Sequence, residues 1–178
     1  MSRASSSSRV SAVLACSLAC NPTAEPDPLD PEVIRELAAT QGSATGDERS
    51  GAWTFAFEQR SCDCPSFEID GALLDLCALL NLVSVEVELV EGSGWLGVSG
   101  PGFALLTGAI EADGGFVVGG REDLSNLGAG LEALRRLDGD FANHDGSAVG
   151  FAAQRLIGEV PGRAVDCRWR AEFVAERN

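Results

Sequence analysis

Gly51-Ala52-Trp53-Thr54-Phe55-Ala56-Phe57-Glu58 is the stretch on which the reading of the fold turns. Trp53, Phe55 and Phe57 alternate with Thr54, Ala56 and Glu58, the period-two pattern of a strand with one buried face. The same pattern recurs twice downstream. Val83, Val85, Val87 and Leu89 alternate with Ser84, Glu86 and Glu88, and Val165, Cys167, Trp169, Ala171 and Phe173 alternate with Asp166, Arg168, Arg170 and Glu172. Large apolar residues against charged ones mark half-buried antiparallel strands. Turn signals punctuate them at Gly92-Ser93-Gly94, Asp113-Gly114-Gly115, Asp145-Gly146 and Pro161-Gly162. Between these lie Phe103 to Ala112, Phe116 to Gly119 and Ala148 to Glu159. A meander this long tends to close so that its edges vanish. The expected fold is all-β, an antiparallel meander forming a closed or nearly closed barrel of about 8–10 strands after a short N-terminal helix.

One segment, 124–137, reads two ways. Leu124, Leu127, Leu131 and Leu134 carry helical spacing, but Gly128 and Gly130 each cost a helix about 1 kcal/mol relative to Ala. Leu131 to Ala142 also works as a strand leading into the His144-Asp145-Gly146 turn, and this reading is preferred.

Upstream of the strands, Asp30-Pro31-Glu32 reads as a helix start, with Asp as the N-cap, Pro at the first helical position and an acid near the positive dipole end. A helix over about 31–40 would present Val33, Ile34 and Leu37 on one face, to dock on or cap the domain, with Gly42 ending the turn. Residues 41–50, polar and rich in Gly and Ser, read as a linker. Pro22, Pro26 and Pro28, interleaved with Glu25 and Asp27, read as a tether.

The first residues are an address. Arg3 and Arg9 sit in a Ser-rich start, an uncharged run follows from Val10 to Ala19, and the small residue Ala19 precedes Cys20. That is the layout of a secretory signal. The run is too short to span a bilayer, which takes ~20 apolar residues. Ser17-Leu18-Ala19-Cys20 resembles the lipobox of bacterial lipoproteins, with Ser17 where that family usually has Leu. Cys16, after Val13-Leu14-Ala15, also fits locally but lies close behind Arg9, so Cys20 is favoured. The bland alternative is an ordinary cleaved signal with two incidental cysteines. The resemblance implies cleavage before Cys20, lipidation of Cys20 and anchoring to the cell envelope, with the outer membrane as the expected destination. The resulting layout is 1–19 signal peptide, 20–50 anchor, tether and short helix, and 51–178 a single β-domain.

All 13 basic residues are arginine, and lysine and tyrosine are absent. Lysine-based Schiff-base and P-loop chemistry is thereby excluded. Without residues 1–19 the chain carries 11 arginines against 27 acidic residues, a net charge of −16. Such a charge repels nucleic acid and anionic headgroups and favours solubility. The single histidine, His144, has no identifiable nucleophile partner. An enzyme is the least favoured class, and no cofactor is expected.

Cys62, Cys64, Cys77 and Cys167 form an even set, which in an exported chain argues for two disulfides. Phe67-Glu68-Ile69 and Ala72-Leu73-Leu74 flank Asp70-Gly71 as a hairpin. If that register continues outward, Cys64 faces Cys77 as a non-hydrogen-bonded pair, with Cα atoms ~4.5 Å apart, near the lower end of the disulfide range. Cys62 is then left for Cys167. Pro65 weakens the ladder beside the first pair. The rival reading of Cys62-Asp63-Cys64 is a thiol metal or redox site, although its C-x-C spacing lacks a second ligand cluster. Asp138, Asp140, Asn143 and Asp145, with His144, cluster near a turn; a calcium site is conceivable there, but hairpin chemistry is the simpler reading. No metal site is expected.

Gly51-Ala52-Trp53 is similar to the Gly-x-Trp start of lipocalin and avidin-like barrels, in which a first-strand Trp plugs the closed end of an up-and-down barrel. The resemblance covers about 51–176 in architecture, on the alternation of strands, but only these three residues in motif. The Tyr-containing second lipocalin motif is absent, since the chain has no tyrosine. In lipocalins a late-strand arginine stacks near that Trp; the resemblance points to Arg168 or Arg170, although alternation puts both on the outer face. The expected barrel interior is Trp53, Phe55, Phe57, Val85, Val87, Trp169 and Phe173, large enough to pack the lumen. The leading functional expectation is a membrane-anchored lipoprotein with a non-catalytic structural or interaction domain and a protein partner. The alternative is a binding protein holding a small apolar ligand in a lipocalin-like barrel.

Overall fold

The computed structural model describes residues 26–69, 71–101, 103–125, 130–142, 146–160 and 163–178. The expected signal with Cys16 and the anchor Cys20 lies outside the described residues, as do Asp70, Leu127, Gly128, Asn143, His144, Asp145 and Pro161-Gly162. The elements are α1 (Pro31–Ala38), β1 (Gly51–Cys62), β2 (Ser66–Ile69), β3 (Ala72–Asp75), α2 (Leu76–Leu80), β4 (Ser84–Gly92), β5 (Trp95–Gly100), β6 (Phe103–Ile110), β7 (Gly115–Asp123), β8 (Glu132–Ala142), β9 (Ser147–Val160) and β10 (Arg163–Arg177).

Alternation drives the architecture. β4 buries Val85, Val87 and Leu89 while exposing Ser84, Glu86 and Glu88, and β10 buries Val165, Cys167, Trp169, Ala171, Phe173 and Ala175. Strands of this kind need a partner on each edge and a core on one face. Both needs are met by a closed antiparallel barrel in the order β1-β10-β9-β8-β7-β6-β5-β4, with β4 returning to β1. β2, β3 and α2 form an excursion between β1 and β4 whose hairpin makes its own two-stranded sheet. Val83 stands just ahead of β4 and is exposed, so the inward row begins at Val85. Its carbonyl accepts a hydrogen bond from the Phe57 amide at 2.9 Å.

Of the ambiguous leucines, Leu134 lies in β8, Leu131 immediately before it and Leu124 just after β7, so the strand reading holds from Glu132 onward. Leu131 and Leu137 face the barrel interior, whereas Leu134 faces out and packs with Leu29 and Ile34 under α1. Burial on both faces is why this strand mimics a helical stripe. α1 begins at the N-cap Asp30, whose side chain accepts from the Glu32 amide, with Pro at the first turn. It sits close because Gly119 has no side chain: a Cβ there would lie 2.9 Å from Leu37 and 3.2 Å from Ile34. Thr107 donates from its hydroxyl to the Ala38 carbonyl at 2.8 Å, which ties down the helix end.

Residues 41–50 are fastened to the barrel rather than free as a linker. The Gly42 amide donates to Gly94 O at 2.7 Å, the Ala44 amide to Ile110 O at 3.1 Å, and Ala44 is buried. The reason is local: the polar stretch satisfies the turns at one end of the barrel instead of running through solvent.

Candidate functional site

The structure places Trp53, Phe55, Phe57, Val85, Val87, Trp169 and Phe173 together in one buried cluster that fills the barrel. Phe55 and Phe173 stack at a tilt with centroids 5.0 Å apart, Phe116 meets Phe141 at 4.8 Å, and Trp53 meets Phe141 edge-on at 5.3 Å. Such ring pairs add to area burial and leave little room between them. The Trp169 indole donates to Gln59 Oε1 at 3.1 Å.

The end of the barrel at Trp53 is closed by an ion pair that alternation alone did not reveal. Arg49 Nη1 lies 2.8 Å from Glu91 Oε1, the Arg49 amide donates to Glu91 Oε2 at 2.9 Å, and both side chains are largely buried. The Arg49 guanidinium also lies over the Phe141 ring at 5.4 Å, and its carbonyl accepts from the Trp53 indole at 2.9 Å. The late-strand arginine at Trp53 is Arg177, which pairs with it across the β1–β10 ladder. Arg177 donates to Glu48 O at 2.9 Å and Ser50 O at 2.7 Å. Arg168 instead reaches Asp27 on the outside, and Arg170 is exposed on the outer wall. The signal for Arg177 was available: it continues the inward row of Trp169, Phe173 and Ala175.

At the other end, Glu122, Arg135 and Gln154 face inward from β7, β8 and β9. Arg135 Nη1 lies 2.6 Å from Glu122 Oε2, and its Nε donates to Gln154 Oε1 at 3.1 Å. Burial pushes the Arg135 guanidinium below its ordinary pKa, while the Glu122 charge and hydrogen bond work against that. A hollow of about 180 Å³ separates these groups from Leu79, Leu80 and Leu82. These polar residues were missed in the sequence, although the alternation Leu131, Ala133, Arg135, Leu137 places Arg135 inward.

Two open troughs lie on the outer wall of β1, β10, β9 and β8. Register arranges the outward side chains in three cross-strand rows. Ala56, Val174, Val149 and Asp140 form the first, and Glu58, Glu172, Phe151 and Asp138 the second. The third runs through Ser61, Arg170, Ala153 and Arg136, with Arg60 at the β1 bulge. Phe151 is 62% exposed, Val149 51% and Val174 52%. A trough of about 720 Å³ follows the first two rows. A second of about 570 Å³ follows the arginine row beneath Asp27, Pro28 and Leu29, and the two share Phe151 and Asp138. Gly139 and Gly150 pair on the floor, where a Cβ on Gly150 would lie 2.7 Å from the Phe173 ring.

Charges on this wall are matched locally. Arg136 grips Asp138 with two bonds of 2.7 and 2.8 Å, and Arg60 bridges Glu58 and Glu172. The Arg60 hydrogen bond holds the Glu172 carboxyl below its usual range. Asp138, one of the acids considered for calcium, is thus engaged by arginine, while Asp140 sits exposed in the first row.

All four barrel cysteines are oxidised, but the pairing differs from the expected Cys64–Cys77 and Cys62–Cys167. Cys62 bonds Cys77 with Cα atoms 5.9 Å apart, and Cys64 bonds Cys167 at 4.8 Å. The hairpin register is Ile69 opposite Ala72, yet its ladder stops at Ser66 and Asp75. There Asp75 caps α2 by accepting from the Cys77 and Ala78 amides, which turns Cys77 out of line with Cys64. Meanwhile the β1–β10 alignment runs past Cys62 and Trp169: the Asp63 amide donates to Arg168 O at 3.0 Å, bringing Cys64 opposite Cys167. Cysteine sulfurs grouped closely enough to hold a metal are those of Cys62, Cys64 and Cys77, and of Cys64 and Cys167 with Asp63. In the disulfide state they offer no thiolate. No protein-family model matches the chain, and no curated protein matches it.

Proposed function

We propose that this chain is an exported lipoprotein, tethered to the cell envelope through a lipidated Cys20, whose barrel is a non-catalytic interaction domain working through its outer wall. The observation that carries the reading is the contrast between a lumen packed by Trp53, Phe55, Phe57, Trp169 and Phe173 and an open apolar trough on the outside. A carrier of apolar ligands needs an internal cavity of several hundred Å³, roughly 300 or more; the hollow at Arg135 is about 180 Å³ and lined partly by charge. Two disulfides that use every barrel cysteine support an oxidising, extracytoplasmic destination. The Arg3, Arg9 and Val10–Ala19 layout before Cys20 supports the anchor.

Mass spectrometry of the mature N-terminus tests the anchor. A diacylglyceryl-modified Cys20, lost together with membrane association in Cys20→Ser, is the expected result. An unmodified N-terminus near residue 25 overturns it.

A further inference from the structure

The outer wall carries a cation that the other described residues leave over. Acidic residues outnumber arginines 27 to 13, so an arginine here has carboxylates to spare. Every other arginine among the described residues is engaged by a carboxylate, a carbonyl or a ring. The Arg170 guanidinium has no hydrogen bond, ion pair or ring contact among the described residues. The register explains why. Its ladder neighbours are Ser61 and Ala153, which bear no charge, and the acids of the adjoining row are spent: Glu58 and Glu172 on Arg60, Asp138 on Arg136. Asp27, at the rim of the same trough, is taken by Arg155 and Arg168.

Beside this cation lies apolar surface that no described residue covers. Phe151, Val149 and Val174 are each more than half exposed, in a trough continuous with the one that holds Arg170. From Arg170 to Val174 is four residues of one strand, about 13 Å. The two troughs therefore form one groove with an apolar length and a cationic end.

We propose that this groove binds a long-chain carboxylate of the decanoate to tetradecanoate class, its head on Arg170 and its alkyl chain along Phe151, Val149 and Val174. A guanidinium receives a carboxylate through two parallel hydrogen bonds, a match a neutral head cannot make. The apolar row supplies affinity by taking the alkyl chain out of water. An apolar cation is the poorer match. Asp140, the acid of the first row, is one of many exposed carboxylates in this chain and singles out no position. The proposal gives the interaction domain a ligand class. It rests on the outer-wall part of that reading and not on the anchor, so its failure leaves the Cys20 experiment untouched.

The test is calorimetric titration of the full chain, disulfides intact, with dodecanoate and dodecyltrimethylammonium below their micelle concentrations and dodecanol below its solubility limit. Dodecanoate should bind at least tenfold more tightly than the other two. Arg170→Gln should erase that preference, and Phe151→Ser should weaken dodecanoate tenfold or more. Both side chains are exposed, so neither change asks the core to repack. A second readout uses [1-13C]dodecanoate: the carboxyl carbon of the bound ligand should titrate at lower pH in the wild type than in Arg170→Gln. Tighter binding of the cationic amphiphile, or dodecanoate binding indifferent to both substitutions, overturns the proposal. So does a dimer that Phe151→Ser dissolves while dodecanoate fails to bind, since the groove would then be a self-association surface.

Discussion

Cys64 stands opposite Cys167 where the β1–β10 alignment runs beyond its last paired residues, and their disulfide joins positions 103 residues apart. Cys62–Cys77 closes a separation of only 15 residues, from β1 to the start of α2. In the chain-entropy picture a closed loop of ~100 residues contributes about 4.7 kcal/mol and one of ~15 residues about 3 kcal/mol. Cys64→Ser/Cys167→Ser should therefore destabilise the domain more than Cys62→Ser/Cys77→Ser, as read by denaturant midpoints. Non-reducing peptide mapping should return the 62–77 and 64–167 linkages.

Glu91 at the closed end accepts from both the Arg49 side chain and the Arg49 amide, and its own side chain is 1% exposed. Removing one member of a buried pair strands the other and costs about 3–5 kcal/mol. Glu91→Ala should lower stability by that order, with a loss of native near-ultraviolet signal as the Arg49–Phe141–Trp53 contacts loosen. Glu91→Gln, which keeps the acceptor oxygen, should cost less.

Gly150 lets the sheet fold over Phe173. A Cβ there would lie 2.7 Å from the Gly139 Cα and 2.7 Å from the Phe173 ring, so one obstacle is backbone. At Gly139 the nearest atoms belong to the Phe116 and Phe173 rings, 2.6 to 2.9 Å away. Overpacking typically costs about 1–3 kcal/mol. Gly150→Ala should be the more damaging of the two in thermal melts, because rings can swing where backbone cannot.

Acid should release the outer carboxylate–arginine pairs. The Arg155 hydrogen bond holds the Asp166 carboxyl below its ordinary range, opposed by slight desolvation. A carboxylate whose folded pKa is depressed contributes stability that is present above its unfolded pKa and is lost as pH falls through the folded value. The loss therefore belongs below the ordinary carboxylate range, not near neutrality. Asp166 is exposed and solvent screens the pair, so the contribution is small. Side-chain NMR titration should show Asp166 protonating later on acidification than a free aspartate, and Arg155→Gln should abolish the difference.

The barrel was legible because each strand repeats one rule. Trp53, Phe55 and Phe57, like Trp169 and Phe173, announce the inward face through period two, and closure follows from the length of the meander. The leucines near 131 read two ways, and the preferred strand is the one that forms; the helical spacing arises because α1 covers the outer face of β8, so Leu134 is buried outside the barrel while Leu131 and Leu137 are buried within. Arg135 was readable from the same alternation. The outer groove was not. It depends on which residues of β1, β8, β9 and β10 share a cross-strand row, and register between strands far apart in sequence leaves no local mark.

The cysteines draw the division most sharply. Their even number and the signal-like layout of the residues before them, both properties of composition and order along the chain, were enough to expect two disulfides. Their partners were decided by where two ladders end. Pro65 and the Asp75 cap stop one ladder short of Cys64 and Cys77, while the other runs on to Cys64 and Cys167. The same holds for charge. Acid excess is plain from counting, but that the Arg170 guanidinium alone goes without a partner among the described residues is a fact of packing, because ion pairs form between neighbours in space and not along the chain.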